Sequence, residues 1–97
     1  MDQKKHRIIF GPSAQRDIEK LSVEDARQLA KDIKAYLETS PLPFGKSRVK
    51  RLTGFTPPLY RLRSGDLRAY YRIYSGEVVI LAVTQRKDSE KILKKLR

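Results

Sequence analysis

The chain has 97 residues, no cysteine, one histidine and a formal net charge of +11. That length gives one domain, residues 1–97, with a single modest core, and the composition excludes a disulfide framework, a thiolate metal site and a histidine-built metal site. No run approaches the roughly 20 apolar residues of a membrane span, and the apolar part of MDQKKHRIIF is too short for a signal peptide, so the sequence predicts a soluble, cytoplasmic protein without a membrane partner.

His6 to Phe10 is a short β-branched and apolar run, a first strand that Gly11-Pro12 ends. Ala14, Ile18 and Leu21 then share one helical face at i, i+4, i+7. Ser22, with Asp25 three residues on, starts a second helix in the manner of a capping box. Its expected apolar stripe is Val23, Ala26, Ala30, Ile33 and Leu37, and Pro41 ends it near Thr39 by disfavouring helix at Ser40. Pro41, Pro43 and Gly45 mark a loop, after which the period changes from 3.6 to 2. Arg48 to Leu52 is a short strand candidate, and Gly54 to Pro58 a turn-rich link. Leu59–Arg63, Leu67–Tyr74 and Glu77–Thr84 read as strands joined by Ser64-Gly65-Asp66 and Ser75-Gly76, both of hairpin-turn composition. The last contains VVILAV, apolar on both faces, which suits a central buried position. Ser89 to Leu96 closes the chain as a helix carrying Ile92, Leu93 and Leu96 on one face behind an N-cap at Asp88. The expected fold is α+β: two N-terminal helices packed on one face of a mainly antiparallel four-stranded sheet, with a short C-terminal helix and the other sheet face open.

Charge is unevenly placed. Residues 1–45 hold eight Lys/Arg against seven Asp/Glu, a net of +1; residues 46–97 hold fourteen against four, a net of +10. This asymmetry points to a polyanionic partner: nucleic acid, an acidic protein or a membrane surface. The basic residues lie on expected strands rather than on one basic amphipathic helix, which argues against the membrane. Strand alternation puts Leu67, Ala69, Tyr71 and Ile73 on one side and Arg68, Tyr70, Arg72 and Tyr74 on the other. Arg61 and Arg63 alternate with Tyr60 and Leu62 on the neighbouring strand, Lys50 and Arg51 add cations on the short one, and Arg86 follows the last. Guanidinium forks grip phosphates bidentately, and aromatic rings offer stacking surfaces to unpaired bases. Arg63, Lys50, Arg51, Arg72 and Tyr70 are therefore the RNA-binding candidates. The plain alternative is a twisted sheet with one wet face, where Arg and Tyr are ordinary residents.

The β-α-α-β-β-β order, with YRLRSGDLRAYYRIY followed by VVILAVTQRKDSEKIL, resembles the RelE/ParE superfamily of bacterial and archaeal toxins over nearly the whole chain. LYRLRSGDLRAYYRI is similar to the pattern Y-x-(L/I)-R-x-G-D-(Y/W)-R-(V/L)-x-Y of that family, and QRKD to its HRRD step. The resemblance implies the toxin of a type II toxin–antitoxin pair, neutralised by a cognate antitoxin. RelE-like members enter the ribosomal A site and cut mRNA; ParE-like members share the fold and inhibit DNA gyrase.

Cleavage of RNA by its own 2′-hydroxyl needs a proton acceptor, cations for the charge gained at phosphorus and help for the leaving 5′-oxygen. By resemblance, Arg68 in GDLR contacts the scissile phosphate, Arg86 is the second arginine after the last strand, and Arg61 is the basic residue of the preceding strand, with Arg63 two positions later. Arg68, Arg86 and Arg61 are thus the catalytic candidates. Their structural alternatives are strand-edge solvation for Arg61 and Arg63, and ion pairs with Asp66 or Asp88 for Arg68 and Arg86. The chain departs from many ribonuclease members at its end, DSEKILKKLR, which carries no Tyr or His. Glu90 and Lys91 are the polar groups at comparable spacing, and both read as a solvated helix face. Arginine stays protonated and is a poor base; Lys50 is the other candidate to accept the proton, and His6, at the far edge of the first strand, reads as incidental. The resulting expectation is a metal-independent, cofactor-free, ribosome-dependent mRNA endoribonuclease whose partners are its antitoxin and mRNA in the A site. Its rivals are a ParE-like gyrase-binding toxin and a plain RNA-binding module, and the latter explains the charge but not the family pattern.

Overall fold

The computed structural model describes residues 5–43 and 48–97. In chain order the elements are β1 (Arg7–Phe10), α1 (Pro12–Glu19), α2 (Val23–Leu37), β2 (Val49–Leu52), β3 (Leu59–Ser64), β4 (Leu67–Tyr74) and β5 (Glu77–Gln85). A 3₁₀ turn (Arg86–Asp88) then leads into α3 (Ser89–Leu96). Pro41 and Pro43 lie outside helix and strand as expected, and Gly45 of the same expected loop falls outside the described residues.

The sheet has five strands in the order β1-β5-β4-β3-β2, one more than the four expected. Both four-residue runs, β1 and β2, join it as edges. β1 runs parallel to β5, with Arg7 opposite Glu77 and Phe10 opposite Ile80, and the other pairs are antiparallel. β5 is interior, as its apolar faces require, but the middle strand is β4.

On one face lie α1 and α2. Pro12 opens α1, where its missing N–H would have had no helical partner anyway. Ser22 caps α2, its hydroxyl accepting the Asp25 N–H at 3.1 Å. Ala14, Leu29, Ile33 and Leu37 pack on Leu62, Ala69, Tyr71, Val78, Ile80 and Val83. Each leucine or isoleucine so buried contributes about 1.5–3 kcal/mol. The α2 stripe differs from the expected one: Val23 is 71% exposed and Ala30 is exposed, while Leu29 is buried. Leu29, Ile33 and Leu37, at i, i+4 and i+8, turn the large side chains to the sheet and leave the alanine outside. Two local contacts hold this layer to β5. Gly11 donates its N–H to the Ile80 carbonyl at 2.9 Å, and a Cβ there would sit 3.3 Å from that oxygen. Beyond the end of β1, the Asp17 carboxylate takes the Val83 N–H at 2.9 Å, a donor the edge strand no longer reaches.

The opposite sheet face is not open along its length, as the sequence had suggested. α3 lays Ile92, Leu93 and Leu96 over Leu59, Tyr70 and Ala82, with Leu52, Phe55 and Leu81 around them. A bulge helps: Tyr71 pairs with Ile80 and Tyr70 with Ala82, so Leu81 is an extra residue, and Leu81 and Ala82 both join the α3 side. Asp88 occupies the N-cap position but makes no side-chain cap bond, because the preceding 3₁₀ turn leaves it at φ −103°, ψ 9° rather than extended. Among the described residues no helix is long and apolar enough to cross a membrane.

Candidate functional site

Toward the Gly65-Asp66 turn the cover of α3 gives way to a cleft of about 700 Å³, lined by Arg61, Arg63, Gly65, Asp66, Arg68, Arg86, Ser89 and Glu90. β3 supplies Arg61 and Arg63, β4 supplies Arg68, the turn between them supplies Gly65 and Asp66, and the 3₁₀ turn and first turn of α3 supply Arg86, Ser89 and Glu90. The pleat explains the convergence, since alternate residues of adjacent strands share a face. The three catalytic candidates, Arg61, Arg68 and Arg86, are brought together, and Arg63 of the RNA-binding set joins them.

Arg63 stands directly opposite Arg68 across β3 and β4, and Lys50 stands opposite Arg61 across β2 and β3. Like charges at facing positions destabilise a sheet. Ion pairs among the described residues are Arg7–Glu77 at 3.9 Å and Arg48–Asp32 at 3.6 Å, and neither involves a cleft arginine. The pairing of Arg68 or Arg86 with Asp66 or Asp88 is therefore not made. Asp66 acts through its backbone instead: its carbonyl accepts the Arg86 N–H at 2.7 Å and ties the 3₁₀ turn to the hairpin.

Arg68 is only 8% exposed. Its Nη1 donates to the carbonyls of Gly65 and Leu67, each at 2.9 Å, which fixes the guanidinium plane against the turn. Gly65 has φ +59°, a left-handed conformation open to glycine at no steric cost. Burial first, and then the charges of Arg61, Arg86 and Arg63, hold the Arg68 pKa below that of an ordinary arginine, yet it remains a cation at neutral pH. Crowded cations without carboxylate partners make a field that draws anions.

The other sequence candidates scatter. Lys50 is exposed beside Arg61 but off the cleft wall. Arg51 pairs with Tyr60, which packs with the α1/α2 core, so its side of the sheet is the opposite one. Arg72 shares the cleft's face but lies beyond Tyr70, half-buried, with its Nε buried and without a hydrogen-bond partner among the described residues. Tyr70 is fully buried beneath α3 and offers no ring face to a base. His6 sits at the edge, its Nδ1 3.3 Å from the Glu38 carbonyl. Sequence reasoning left Ser89 unmarked and put Glu90 on a solvated face. The available signal was spacing: they follow Arg86 by three and four positions, one helical turn. A second cleft of about 450 Å³ shares Asp66 and Arg86 with the first and adds Gln85 and Lys87. Among the described residues no three His, Cys, Asp or Glu side chains group as a metal site would require.

A family model for the ParE toxin of type II toxin–antitoxin systems matches residues 8–90. The chain belongs to this family. Every residue lining the cleft of this toxin falls inside the matched span. The fold is similar to a chain of the archaeal RelE–RelB complex from Pyrococcus horikoshii, with 26% identity and a TM-score of 0.68 over 84% of this chain and 94% of that one. It is also similar to a chain of the toxin–antitoxin complex RelBE2 from Mycobacterium tuberculosis, with 27% identity and a TM-score of 0.72 over 90% and 98%. A chain of the RelB–RelE complex from Methanococcus jannaschii shares the fold at 17% identity, with a TM-score of 0.68 over 87% and 96%. No curated protein matches the chain.

Proposed function

We propose that this toxin, acting as one domain over residues 1–97 in the cytoplasm, is a ribosome-dependent mRNA endoribonuclease that needs no metal. The observation that carries the reading is the Arg63–Arg68 pair, two guanidinium groups set opposite each other in a cleft that also holds Arg61 and Arg86. Such a cluster costs the fold stability and is suited to a phosphate whose charge grows during reaction. Arg68, fixed against the turn, holds the scissile phosphate; Arg86 and Arg61 approach it from the other walls, and exposed Arg63 guides the strand at the rim. Lys50 and Arg72 extend the cationic field on the same sheet face, and Arg51 contributes to it at longer range. Among the described residues no aromatic ring lines the cleft. The grip is on the backbone, so the bases are held by something else, which suits an mRNA already seated in the ribosomal A site.

The solved relatives are toxin–antitoxin complexes, and a cleft of four cations favours an acidic antitoxin segment as the inhibitor of this chain. The family model favours a second reading, inhibition of DNA gyrase in the manner of ParE. Incubation with programmed ribosomes, followed by primer extension, separates the two when gyrase supercoiling is measured in parallel. Cuts in the A-site codon with supercoiling intact are expected. Intact mRNA with blocked supercoiling would replace the nuclease reading by the gyrase one.

A further inference from the structure

The nuclease reading leaves one chemical role unfilled. Four guanidinium groups can stabilise a pentavalent phosphorane, but none of them can take the proton of the attacking hydroxyl at neutral pH. The carboxylates on the cleft wall are Asp66 and Glu90. Asp66 sits at the tip of the β3–β4 turn and also borders the second cleft. Glu90 comes from the first turn of α3, a helix fastened to the sheet through Ile92, Leu93 and Leu96. It follows Arg86 by four residues, so both project from one side of the 3₁₀–α3 segment onto the cleft. Among the described residues Glu90 makes no ion pair within 4.0 Å and no side-chain hydrogen bond, although four arginines share its cleft. A carboxylate left free there has both oxygens available as acceptors.

We propose that Glu90 is the general base of this toxin, a catalytic residue in the place for which the sequence offers no Tyr or His. This rests on the nuclease reading of the same cleft. In the step, a Glu90 oxygen takes the proton of the 2′-hydroxyl while the 2′-oxygen bonds to the adjacent phosphorus. The phosphorus–5′-oxygen bond breaks, the leaving oxygen departs with its electron pair and takes a proton from water, and the resulting hydroxide recovers the proton held by Glu90. The products are a 2′,3′-cyclic phosphate and a 5′-hydroxyl end, with no oxidant, reductant or metal consumed. Arg68 and its neighbours carry the charge gained at phosphorus, and Glu90 enters the same cleft from α3 rather than from the sheet.

The test is single-turnover cleavage on programmed ribosomes by the wild type and by Glu90→Gln, with ribosome binding measured alongside. Because Glu90 is exposed, the variant should fold as the wild type does, and an unchanged thermal midpoint checks this. The expected result is a cleavage rate lower by about 100-fold or more with binding unchanged or tighter, since a negative charge leaves a cationic cleft. A second substrate, with sulfur replacing the leaving 5′-oxygen, distinguishes base from acid. Sulfur leaves without protonation, so it would rescue the loss of a proton donor and should not rescue Glu90→Gln. Rescue, or cleavage by Glu90→Gln at the wild-type rate, overturns the assignment and leaves the nuclease reading standing. A wild type that cuts nothing overturns both.

Discussion

Ser64 donates its hydroxyl to the Asp32 carboxylate at 2.6 Å, and both side chains are buried. The contact joins α2 to the last residue of β3. The next residue is Gly65, whose carbonyl holds the Arg68 guanidinium, so a helix on one face of the sheet is linked to the cleft on the other. Gln28 donates to the other Asp32 oxygen at 3.2 Å, and the Arg48 guanidinium lies 3.6 Å away, over the Tyr36 ring. Removing one partner of a buried charged hydrogen bond costs about 1–3 kcal/mol. Ser64→Ala should lower the unfolding free energy by that amount, which moves the urea midpoint down with the slope unchanged. An unmoved midpoint would mean that Gln28 and Arg48 satisfy the carboxylate by themselves.

Tyr70 gives the opposite sign. Its hydroxyl is buried under α3 without a hydrogen-bond partner among the described residues, and a buried unsatisfied group carries a desolvation penalty of about 1–3 kcal/mol. Tyr70→Phe keeps the ring and removes that penalty, so the variant should be more stable by about 1 kcal/mol in urea titration. Its affinity for ribosomes should match the wild type, because the ring is not presented to RNA. Weakened binding would return Tyr70 to the interface.

The strand faces were legible because a period of two admits only two faces: Leu67, Ala69 and Tyr71 lie toward α1 and α2, and Arg68 toward the cleft, as the alternation demanded. For the same reason the alternation alone groups Arg61, Arg63 and Arg68. The covering of Tyr70 was not legible. Ile92, Leu93 and Leu96 announce an apolar helix face, but a helix and its sheet are joined by tertiary packing that no local spacing encodes. The bulge at Leu81 compounds this by turning two successive apolar residues to the α3 side. The edge strands were hard to count because four residues scarcely establish an alternation. Glu90 escaped because a charged residue in a short helix is usually solvated, and only the docking of α3 gives it a cleft.

Tyr71 makes stability depend on alkaline pH. Its hydroxyl donates to the Pro41 carbonyl at 2.5 Å, and its ring stacks on Tyr60 at 5.5 Å between centroids. Burial, and secondarily the neighbouring Tyr60, raise its pKa above the ordinary value of 10.0. The folded chain therefore keeps a proton that the unfolded chain releases once pH passes about 10. The stabilisation is complete below that pH and declines above it, by at most about 1.4 kcal/mol per pH unit. Tyr71→Phe should flatten this decline in denaturation curves taken between about pH 9 and 11. A variant that loses stability as steeply as the wild type would assign the alkaline transition to other groups.

Salt should weaken the hold on RNA. Each phosphate neutralised on a single strand contributes a slope of about −0.7 to log K against log salt. Arg63 is exposed at the rim, so Arg63→Ala should make that slope shallower by about one such contact and lower affinity at low salt. A slope indifferent to both salt and Arg63 would show that the basic half of the chain does not bind through phosphates.

Arg68 should separate binding from chemistry. Its guanidinium is already fixed by the Gly65 and Leu67 carbonyls, so little reorganisation is needed when charge develops at phosphorus. Only an interaction stronger in the transition state than in the ground state accelerates the step. Arg68→Ala should therefore lower the single-turnover cleavage rate by about 100- to 1000-fold and change ribosome affinity far less. Arg68→Lys should recover little, because an ammonium cannot bond the two carbonyls and a phosphate in the geometry of the planar fork. Arg63→Ala should show the reverse balance, with weaker binding and a nearly unchanged rate at saturation. If Arg68→Ala instead loses binding and cleavage in equal measure, Arg68 contributes uniform affinity, and the charge at phosphorus is carried by Arg61 and Arg86.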